Sequence, residues 1–319
     1  MSGIQSLQAA LHVLRSSGSA GRKTDGVEAS YQLCRDVTRH HSKTFYLASL
    51  FLRTPQRRAI WSVYAFCRTA DDLVDRDGPA HERLASIDAW QEHVVTAFEG
   101  NPKHPLTVAL ADSVQRYGIP LEPALQLIEG ARRDVNVLRY QTYEELREYC
   151  YLVASTVGLL TCPVLGYEEG ALEYGAALGR AMQMTNILRD VGEDARMGRI
   201  YLPLEDLENF GYSQRCLMAG TIDRNFVALM QFEIARVRAM YDAAAPGIDL
   251  LSAGSRYTVR LALTLYRGIL DQIERNGYDV FTKRAALSPR EKFIAAMATT
   301  FEGLARGSGH PGMTGRAGV

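Results

Sequence analysis

Apolar residues recur every three or four positions along most of the chain, whereas the alternating pattern of a β-strand is almost absent. This spacing predicts amphipathic helices that bury one face each. The segments with this period are 27–41, 54–76, 80–99, 104–117, 121–138, 142–165, 168–194, 223–245, 255–277 and a last helix that follows Ser288. No internal repeat and no interior linker interrupts them, so the pattern predicts one all-α domain.

Local signals mark two of the helix starts. Thr54 is the expected N-cap of its helix, with Pro55 at the first helical position. Ser288 is the expected N-cap of the last helix, and Glu291 is placed to complete a capping box with it. These signals predict where the helices begin independently of the apolar period.

The two ends of the chain lack a strong apolar period. Residues 1–26 contain no secretory signal and are expected to form a flexible N-terminal segment. Residues 303–319 are rich in glycine and are expected to form a disordered tail. The all-α domain is therefore predicted to occupy residues 27–302.

Residues 149–167 contain no charged side chain, and their length approaches that of a membrane span. However, they include Ser155, Thr156, Thr161 and Pro163, and glutamates flank them on both sides. A buried central helix is therefore predicted for this segment.

Composition excludes some classes of function. Lysine plus arginine and aspartate plus glutamate both total 36, so the chain has no basic excess of the kind that nucleic-acid binding requires. The five cysteines are scattered and form no CxxC pair, which predicts reduced thiols in a cytoplasmic protein. The composition specifies no oligomeric state.

Two predicted helices each carry a pair of aspartates one turn apart. On the first, Tyr64, Arg68, Asp71 and Asp75 share one face, and Asp72 lies about 100° away from it. On the second, the residues that share a face are Gln183, Asn186 or Ile187, Asp190 and Asp194. A solvated face with ion pairs one turn apart would explain a single stripe of this kind.

Two such stripes indicate a metal–diphosphate site more strongly. Like charges one turn apart destabilise a helix by a few tenths of a kcal/mol, and a divalent cation removes that cost. Carboxylates suit Mg²⁺, with Mn²⁺ as an alternative, and Mg²⁺ often bridges to substrate phosphates. The neighbouring Arg68, Arg189 and Arg199 suit phosphate oxygens, which a guanidinium binds through two donors.

Five sequence blocks together resemble the signature blocks of the squalene/phytoene synthases, from about Tyr31 to about Leu287. The blocks are "HSKTFYLAS", "YAFCRTADDLVD", "YCYLVASTVG", "NILRDVGEDARMGRIYLP" and "LYRGILDQIERNGYDVF". The second aspartate block and the tail block "NGYDVFTKRA" are most similar to phytoene synthases. The resemblance implies the all-α isoprenoid (terpenoid) synthase fold with a central apolar cavity. It also implies a prenyl transferase that joins two prenyl diphosphates head to head through a cyclopropyl intermediate.

The resemblance also implies roles for individual residues. Those implied to bind metal are Asp71, Asp75, Asn186, Asp190 and Asp194. Those implied to act at the reacting centre are the four aspartates with Tyr149 and Tyr266. Those implied to hold the diphosphate or the prenyl head are His41, Ser42, Lys43, Thr44, Phe45, Tyr64, Arg68, Gln183, Arg189, Arg199 and Lys283.

The chain departs from the family pattern at two positions. Ser155 stands in place of a common glycine, which affects helix packing or cavity width, and Lys283 stands where arginine is more usual. Each implied residue also has a plain structural alternative: the tyrosines as core residues, Ser42 as a helix N-cap and Lys283 as a surface lysine.

Two geranylgeranyl diphosphates are the expected substrate, with phytoene as the product and no nicotinamide cofactor. The alternative is a squalene or dehydrosqualene synthase that uses farnesyl diphosphate; a helical scaffold without activity is disfavoured because all four aspartates are present. Ala154, Gly158, Ala177 and Ala181 are expected to leave room for the longer chain or, equally, to allow close helix packing. Peripheral contact with a membrane is expected, because substrate and product are lipid-soluble.

Overall fold

The computed structural model of the protein describes residues 22–307, with side chains from residue 25 to residue 301. Most of the predicted flexible N-terminal segment and most of the predicted glycine-rich tail lie outside the described residues. The first helix begins at Arg22, before the predicted start at residue 27, and the last continues to Gly307. The helical domain is therefore longer at both ends than the apolar period indicated.

The described residues are helical apart from turns, connecting segments and two isolated β-bridges. In chain order the helices are α1 (Arg22–His41), α2 (Lys43–Ser49), α3 (Thr54–Asp75), α4 (Ala80–Phe98), α5 (Pro105–Tyr117), α6 (Leu121–Arg133), α7 (Tyr143–Leu165), α8 (Ala171–Arg196), α9 (Leu204–Asn209), α10 (Gln214–Met218), α11 (Arg224–Ala244), α12 (Ala253–Arg275) and α13 (Pro289–Gly307). A 3₁₀ turn, Ala245–Leu250, joins α11 to α12. The prediction of an all-α protein is confirmed.

The capping prediction holds for α13 and is wrong by one residue for α3. The Ser288 N–H donates to Oε2 of Glu291 at 2.7 Å, and the Glu291 N–H donates back to Oγ of Ser288 at 3.3 Å. At α3, however, the carbonyl of Arg53 accepts the N–H of Arg57 at 2.9 Å. Since the N-cap carbonyl accepts the first helical hydrogen bond, Arg53 is the N-cap and Thr54 is already helical.

Helix α7 runs through the middle of the protein and contacts α3, α6 and α8. It is long and apolar enough to span a membrane by length and composition, and 56% of its most apolar stretch is buried inside the protein. Residues Tyr151–Ser155 form a π-helical turn in it. Ser155 is fully buried there, and its hydroxyl donates to the carbonyl of Ala176 on α8 at 2.7 Å. The serine that replaces the usual glycine therefore ties α7 to α8.

Candidate active site

Helix α3 carries the first aspartate pair. Asp71 is open to the cleft between the helices, yet protein surrounds it closely enough that desolvation raises its pKa to about 7. The positive charge of Arg68 opposes this shift, and the negative charges of nearby aspartates, Asp75 among them, add to it. Arg68 itself forms an ion pair with Asp72, one turn along the helix. The arginine above the pair is thus held by the aspartate that lies off the stripe.

Helix α8 carries the second pair. The Arg189 guanidinium binds both carboxylate oxygens of Asp190, with Nε 2.9 Å from Oδ1. Burial, and then the charge of Asp190, raise the pKa of Asp194 to about 7. The amides of the same stripe pair with each other, since Nδ2 of Asn186 donates to Oε1 of Gln183 at 3.5 Å.

A single arginine joins the two pairs. Arg199 is largely buried just after α8, and its Nη1 donates to Oδ1 of Asp75 on α3 at 2.8 Å. Its Nη2 donates to the carbonyl oxygen of Asp134 at 3.4 Å. The two aspartate stripes therefore line one cleft, which is the arrangement that the sequence predicted for them.

Asp134 is an acidic residue of the cleft that the sequence did not single out. Its carboxylate accepts hydrogen bonds from the hydroxyls of Tyr149 at 2.6 Å and Tyr201 at 2.9 Å. Burial raises the pKa of Asp134 to about 6, although these two hydroxyls and the charge of Arg199 lower it. It follows the charged end of α6 and belongs to no aspartate pair, so its spacing gave no signal.

The aromatic side of the cleft is built by α2, α3 and α12. Ser42 caps α2 by accepting the N–H of Phe45 at 3.3 Å, and its side chain also hydrogen-bonds to the Tyr266 hydroxyl. The rings of Phe45 and Tyr64 stack with centroids 5.1 Å apart. Burial and the charge of Arg189 have opposite effects on Tyr266, and its pKa is raised overall. Ser42 is thus both a helix cap and a part of the cleft.

The remaining residues of the first block lie at the edge of the cleft. Burial, and then the positive charge of Arg68, lower the pKa of the His41 imidazole. Lys43 is exposed and Thr44 is half-buried. Their predicted contact with diphosphate stays a prediction.

The basic residue of the tail block that reaches the aspartates is Arg284. Its Nη1 donates to Glu193 at 2.7 Å, and its Nη2 lies 3.4 Å from Oδ1 of Asp190. Lys283, which the resemblance favoured, is exposed and lies 3.9 Å from Asp279 instead. The side chain that reaches the aspartates is thus one residue after the position that the resemblance implied. Segment 278–288 is irregular, so no helical period determines which of its side chains points inward.

An apolar cavity extends from the cleft between α2, α3, α7, α8 and α12. Its lining includes Phe45, Ala48, Ser49, Leu52, Ile60, Ala154, Val157, Gly158, Thr161, Cys162, Leu165, Ala171, Tyr174, Gly175, Leu178, Gly179, Met182, Thr258, Val259 and Ala262. Along α8 the distance from Asp190 to Tyr174 is sixteen residues, or about 24 Å at the helical rise. The central apolar cavity that the resemblance implied is therefore present.

Of the four small residues singled out from the sequence, some line the cavity and others serve close helix packing. Ala154 and Gly158 line it, whereas Ala177 and Ala181 are absent from its lining, and Ala181 is fully buried in the core. A Cβ on Gly158 would lie 2.2 Å from the carbonyl oxygen of Gly175, so this glycine also allows α7 to approach α8 closely. Of the two roles expected for Ala181, the structure shows helix packing, because its side chain is buried in the core and does not line the cavity.

The cleft suits a hard divalent cation. Among the described residues no three acidic, histidine or cysteine side chains are already gathered as a metal site. However, Asp71, Asp134 and Asp194 have pKa values that burial and mutual repulsion raise to about 6 or 7. Carboxylate oxygens are the ligands that Mg²⁺ prefers, and a cation between them would remove the repulsion.

Comparison with known proteins agrees with this geometry. The model of the squalene/phytoene synthase family matches residues 38–291. The 15-cis-phytoene synthase of Synechococcus elongatus is 44% identical over 277 residues, which cover 83% of this chain and 90% of that protein. The phytoene synthase of Arthrospira platensis is 44% identical over 279 residues, with the same two coverages.

Solved structures share the helical arrangement. A crystal structure of a dehydrosqualene synthase in complex with ligand aligns with a TM-score of 0.83 and 29% identity, covering 89% of this chain and 99% of that chain. The terpenoid synthase fold that the resemblance implied is thus confirmed. From the matched family model, the length of the matches and the shared fold, we conclude that the chain belongs to the squalene/phytoene synthase family.

Proposed function

We propose that the protein condenses two geranylgeranyl diphosphates head to head into phytoene, as a step of carotenoid biosynthesis. The reaction passes through a cyclopropyl intermediate, prephytoene diphosphate, and releases diphosphate. The observation that carries the proposal is the 44% identity to proteins named phytoene synthase along 90% of their length. The cleft and the cavity are consistent with it, since they join a polar end to an apolar chamber.

The polar end would hold the diphosphate groups. Asp71, Asp75, Asn186, Asp190 and Asp194 would hold Mg²⁺, which supplies charge to stabilise the leaving diphosphate when it is bound. Arg68, Arg189 and Arg199 would turn from their aspartate partners toward phosphate oxygens, which suit a guanidinium equally well. Further residues proposed to contact the diphosphate or the prenyl head are His41, Ser42, Lys43, Thr44, Phe45, Tyr64, Gln183 and Lys283.

The apolar end would protect the carbocation that forms as diphosphate leaves. The stacked rings of Phe45 and Tyr64 offer π faces at the mouth of the cavity. Beyond Phe45 the cavity wall is apolar, so it excludes water that would otherwise capture the cation. Tyr149 and Tyr266 would border the reacting centre through their contacts with Asp134 and Ser42.

The second candidate is condensation of two farnesyl diphosphates, because the solved structure with 29% identity is a dehydrosqualene synthase. The stretch of α8 from Asp190 to Tyr174 spans about 24 Å, which leaves room for either prenyl chain. The 44% identity to proteins named phytoene synthase favours the longer substrate.

Product analysis tests the proposal. The purified protein is incubated with geranylgeranyl or farnesyl diphosphate and Mg²⁺, with and without NADPH, and the hydrocarbon products are identified by mass. We expect phytoene from the C20 substrate, no consumption of NADPH, and a larger kcat/KM for the C20 substrate. A larger kcat/KM for farnesyl diphosphate would favour the second candidate.

The place of this reaction in the cell is proposed to be the cytoplasm, with peripheral contact to a membrane. Substrate and product carry long apolar chains, which partition into a bilayer. The apolar helix α7 forms part of the cavity wall, so the proposed contact with the membrane does not use it as a membrane span.

A further inference from the structure

The outer face of α13 carries large apolar side chains that no other part of the described chain covers. Phe293, Ile294 and Phe301 are 67%, 64% and 63% exposed, and Met297 lies between them. Residues 293, 297 and 301 are four apart, so they form one stripe along the helix. Scattered exposed apolar residues are ordinary, but an aligned stripe of large apolar side chains indicates a binding surface.

The opposite face of α13 is fixed to the protein. Ala295 is buried in a cluster with Leu261 and Leu265 of α12. The hydroxyl of Tyr257 donates to the carbonyl of Ala296 at 3.0 Å. The helix therefore cannot turn its apolar stripe inward without losing these contacts.

The stripe continues onto the end of α2. Leu50 and Phe51 are exposed there, and the Phe51 ring packs edge-on against Tyr257 with centroids 4.8 Å apart. Because Tyr257 also holds α13, the two elements form one surface. We call it the apolar ridge, and its members are Leu50, Phe51, Phe293, Ile294, Met297 and Phe301.

Basic side chains accompany the ridge. Arg290 lies one turn before Ile294, Arg53 follows α2, and both are exposed. Among the described residues, neither of these two side chains has a carboxylate partner within ion-pair distance. Unpaired basic groups beside exposed apolar side chains match a surface of anionic lipid.

The ridge also lies on the outside of the cavity wall. Ala48 and Ser49, which precede Leu50, line the apolar cavity, and so does Thr258, which follows Tyr257. The contact between α2 and α12 therefore lies between the cavity and the ridge. A bilayer docked on the ridge would lie next to the part of the protein that holds apolar chains.

We propose that the apolar ridge docks the protein on the surface of a bilayer that contains anionic lipid. Phe293, Ile294 and Phe301 enter the interface, and Arg53 and Arg290 face the lipid headgroups. A second copy of the chain fits less well, because a two-fold dimer through this surface would bring the same unpaired basic groups toward each other. The inference rests on the peripheral membrane contact proposed above and names the surface that makes it. Its test needs no substrate, so its failure would leave the proposed reaction standing.

The test is co-sedimentation of the full chain with phosphatidylcholine vesicles, with and without phosphatidylglycerol. Phe293→Ser/Phe301→Ser should lower the partition coefficient on mixed vesicles at least tenfold and leave Tm unchanged, since both side chains are exposed. The matched control, Met218→Ser/Ile222→Ser, removes two exposed apolar side chains elsewhere and should bind as wild type does. Arg53→Glu/Arg290→Glu should weaken binding to the mixed vesicles and leave binding to pure phosphatidylcholine unchanged.

A second measurement tests directly whether the ridge enters the bilayer. Phe293→Trp should show a blue-shifted emission increment when mixed vesicles are added, and brominated lipids should quench it. Equal vesicle binding by wild type and Phe293→Ser/Phe301→Ser would overturn the proposal. It would equally be overturned if that variant changed the molar mass measured by light scattering while wild type bound no vesicles, because the ridge would then be a contact between copies of the chain.

Discussion

Arg199 and Asp75 lie 124 positions apart in the sequence, and a hydrogen bond of 2.8 Å joins them across the cleft. This contact joins α3 to the segment that follows α8. Arg199 is largely buried, whereas the Asp75 carboxylate is 40% exposed toward the cleft, so water reaches the pair from one side only.

Arg199→Lys should therefore weaken both the fold and the reaction. Lysine keeps the charge and loses the second donor, which now reaches the carbonyl of Asp134. We expect a loss of about 1.5–3 kcal/mol in unfolding free energy, as for a hydrogen bond to a charged group, and at least a tenfold lower kcat. Urea unfolding and steady-state kinetics measure the two effects. Arg196→Lys, at the exposed end of α8, is the control and should change neither quantity by much.

Asp71→Asn and Asp190→Asn should each lower turnover to below about 1% of the wild-type rate, because each removes a charge that stabilises the metal–diphosphate group. Helix content should stay the same, since asparagine has the same shape and relieves repulsion between carboxylates. Circular dichroism and diphosphate release are measured on the same samples. Near-normal turnover in both variants would contradict a metal site with two sides.

The metal-free protein should lose stability as pH rises. Asp71 and Asp194 have pKa values raised to about 7, against about 4 in the unfolded chain. Between these values the folded state binds more protons than the unfolded state, so the stability that these groups contribute falls as pH rises and is lost above about pH 7. Tm without metal should then be lower at pH 8 than at pH 6.

Added Mg²⁺ should reverse this trend. Ionised carboxylates bind the cation, so the increase in Tm on adding Mg²⁺ should be larger at pH 8 than at pH 6. The variant Asp71→Asn/Asp194→Asn is the control and should show a weaker dependence on both pH and Mg²⁺. A variant with the same dependence as wild type would show that other groups titrate.

Tyr149→Phe and Tyr140→Phe form a matched pair within one aromatic cluster. Their rings lie 5.3 Å apart, but Tyr149 donates to Asp134 while the Tyr140 hydroxyl has no hydrogen-bond partner in the described structure. Tyr149→Phe should cost about 1–3 kcal/mol of stability, because Asp134 loses a donor, and should lower kcat. Tyr140→Phe should be neutral or stabilising. Equal changes of stability and kcat in the two variants would contradict the proposed importance of the hydrogen bond from Tyr149 to Asp134.

Chain-length preference should respond to the deep end of the cavity. Ala171→Leu adds volume where α8 begins, and it should lower kcat/KM for geranylgeranyl diphosphate relative to farnesyl diphosphate by at least fivefold. Ala177→Leu, on the same helix and outside the lining, should leave this ratio unchanged. A shifted ratio in the control alone would indicate that helix packing, not cavity depth, sets the preference.

The features that follow the helical period could be predicted from the sequence, and the residues in irregular segments could not. The long helices and both aspartate stripes follow the helical period, so their existence and facing were predictable. Asp134 and Arg284 lie in irregular segments, where the direction of a side chain depends on tertiary contacts. Helices α2, α9 and α10 were not predicted because five to seven residues are too few to show a period. Spacing could not decide between the two roles expected for Ala181, since two faces of α8 are buried and helical spacing does not distinguish a core position from a cavity position.

The ion pairs of the cleft imply that ligand binding is an exchange reaction. Arg189 and Arg199 already form salt bridges with Asp190 and Asp75. An incoming magnesium diphosphate would therefore replace these two salt bridges with contacts from the arginines to phosphate and from the aspartates to the metal. The number of opposite charges in contact changes little, and the bound state gains chiefly from the released water and the buried prenyl chain. Substrate affinity should consequently depend weakly on ionic strength and strongly on the number of isoprene units.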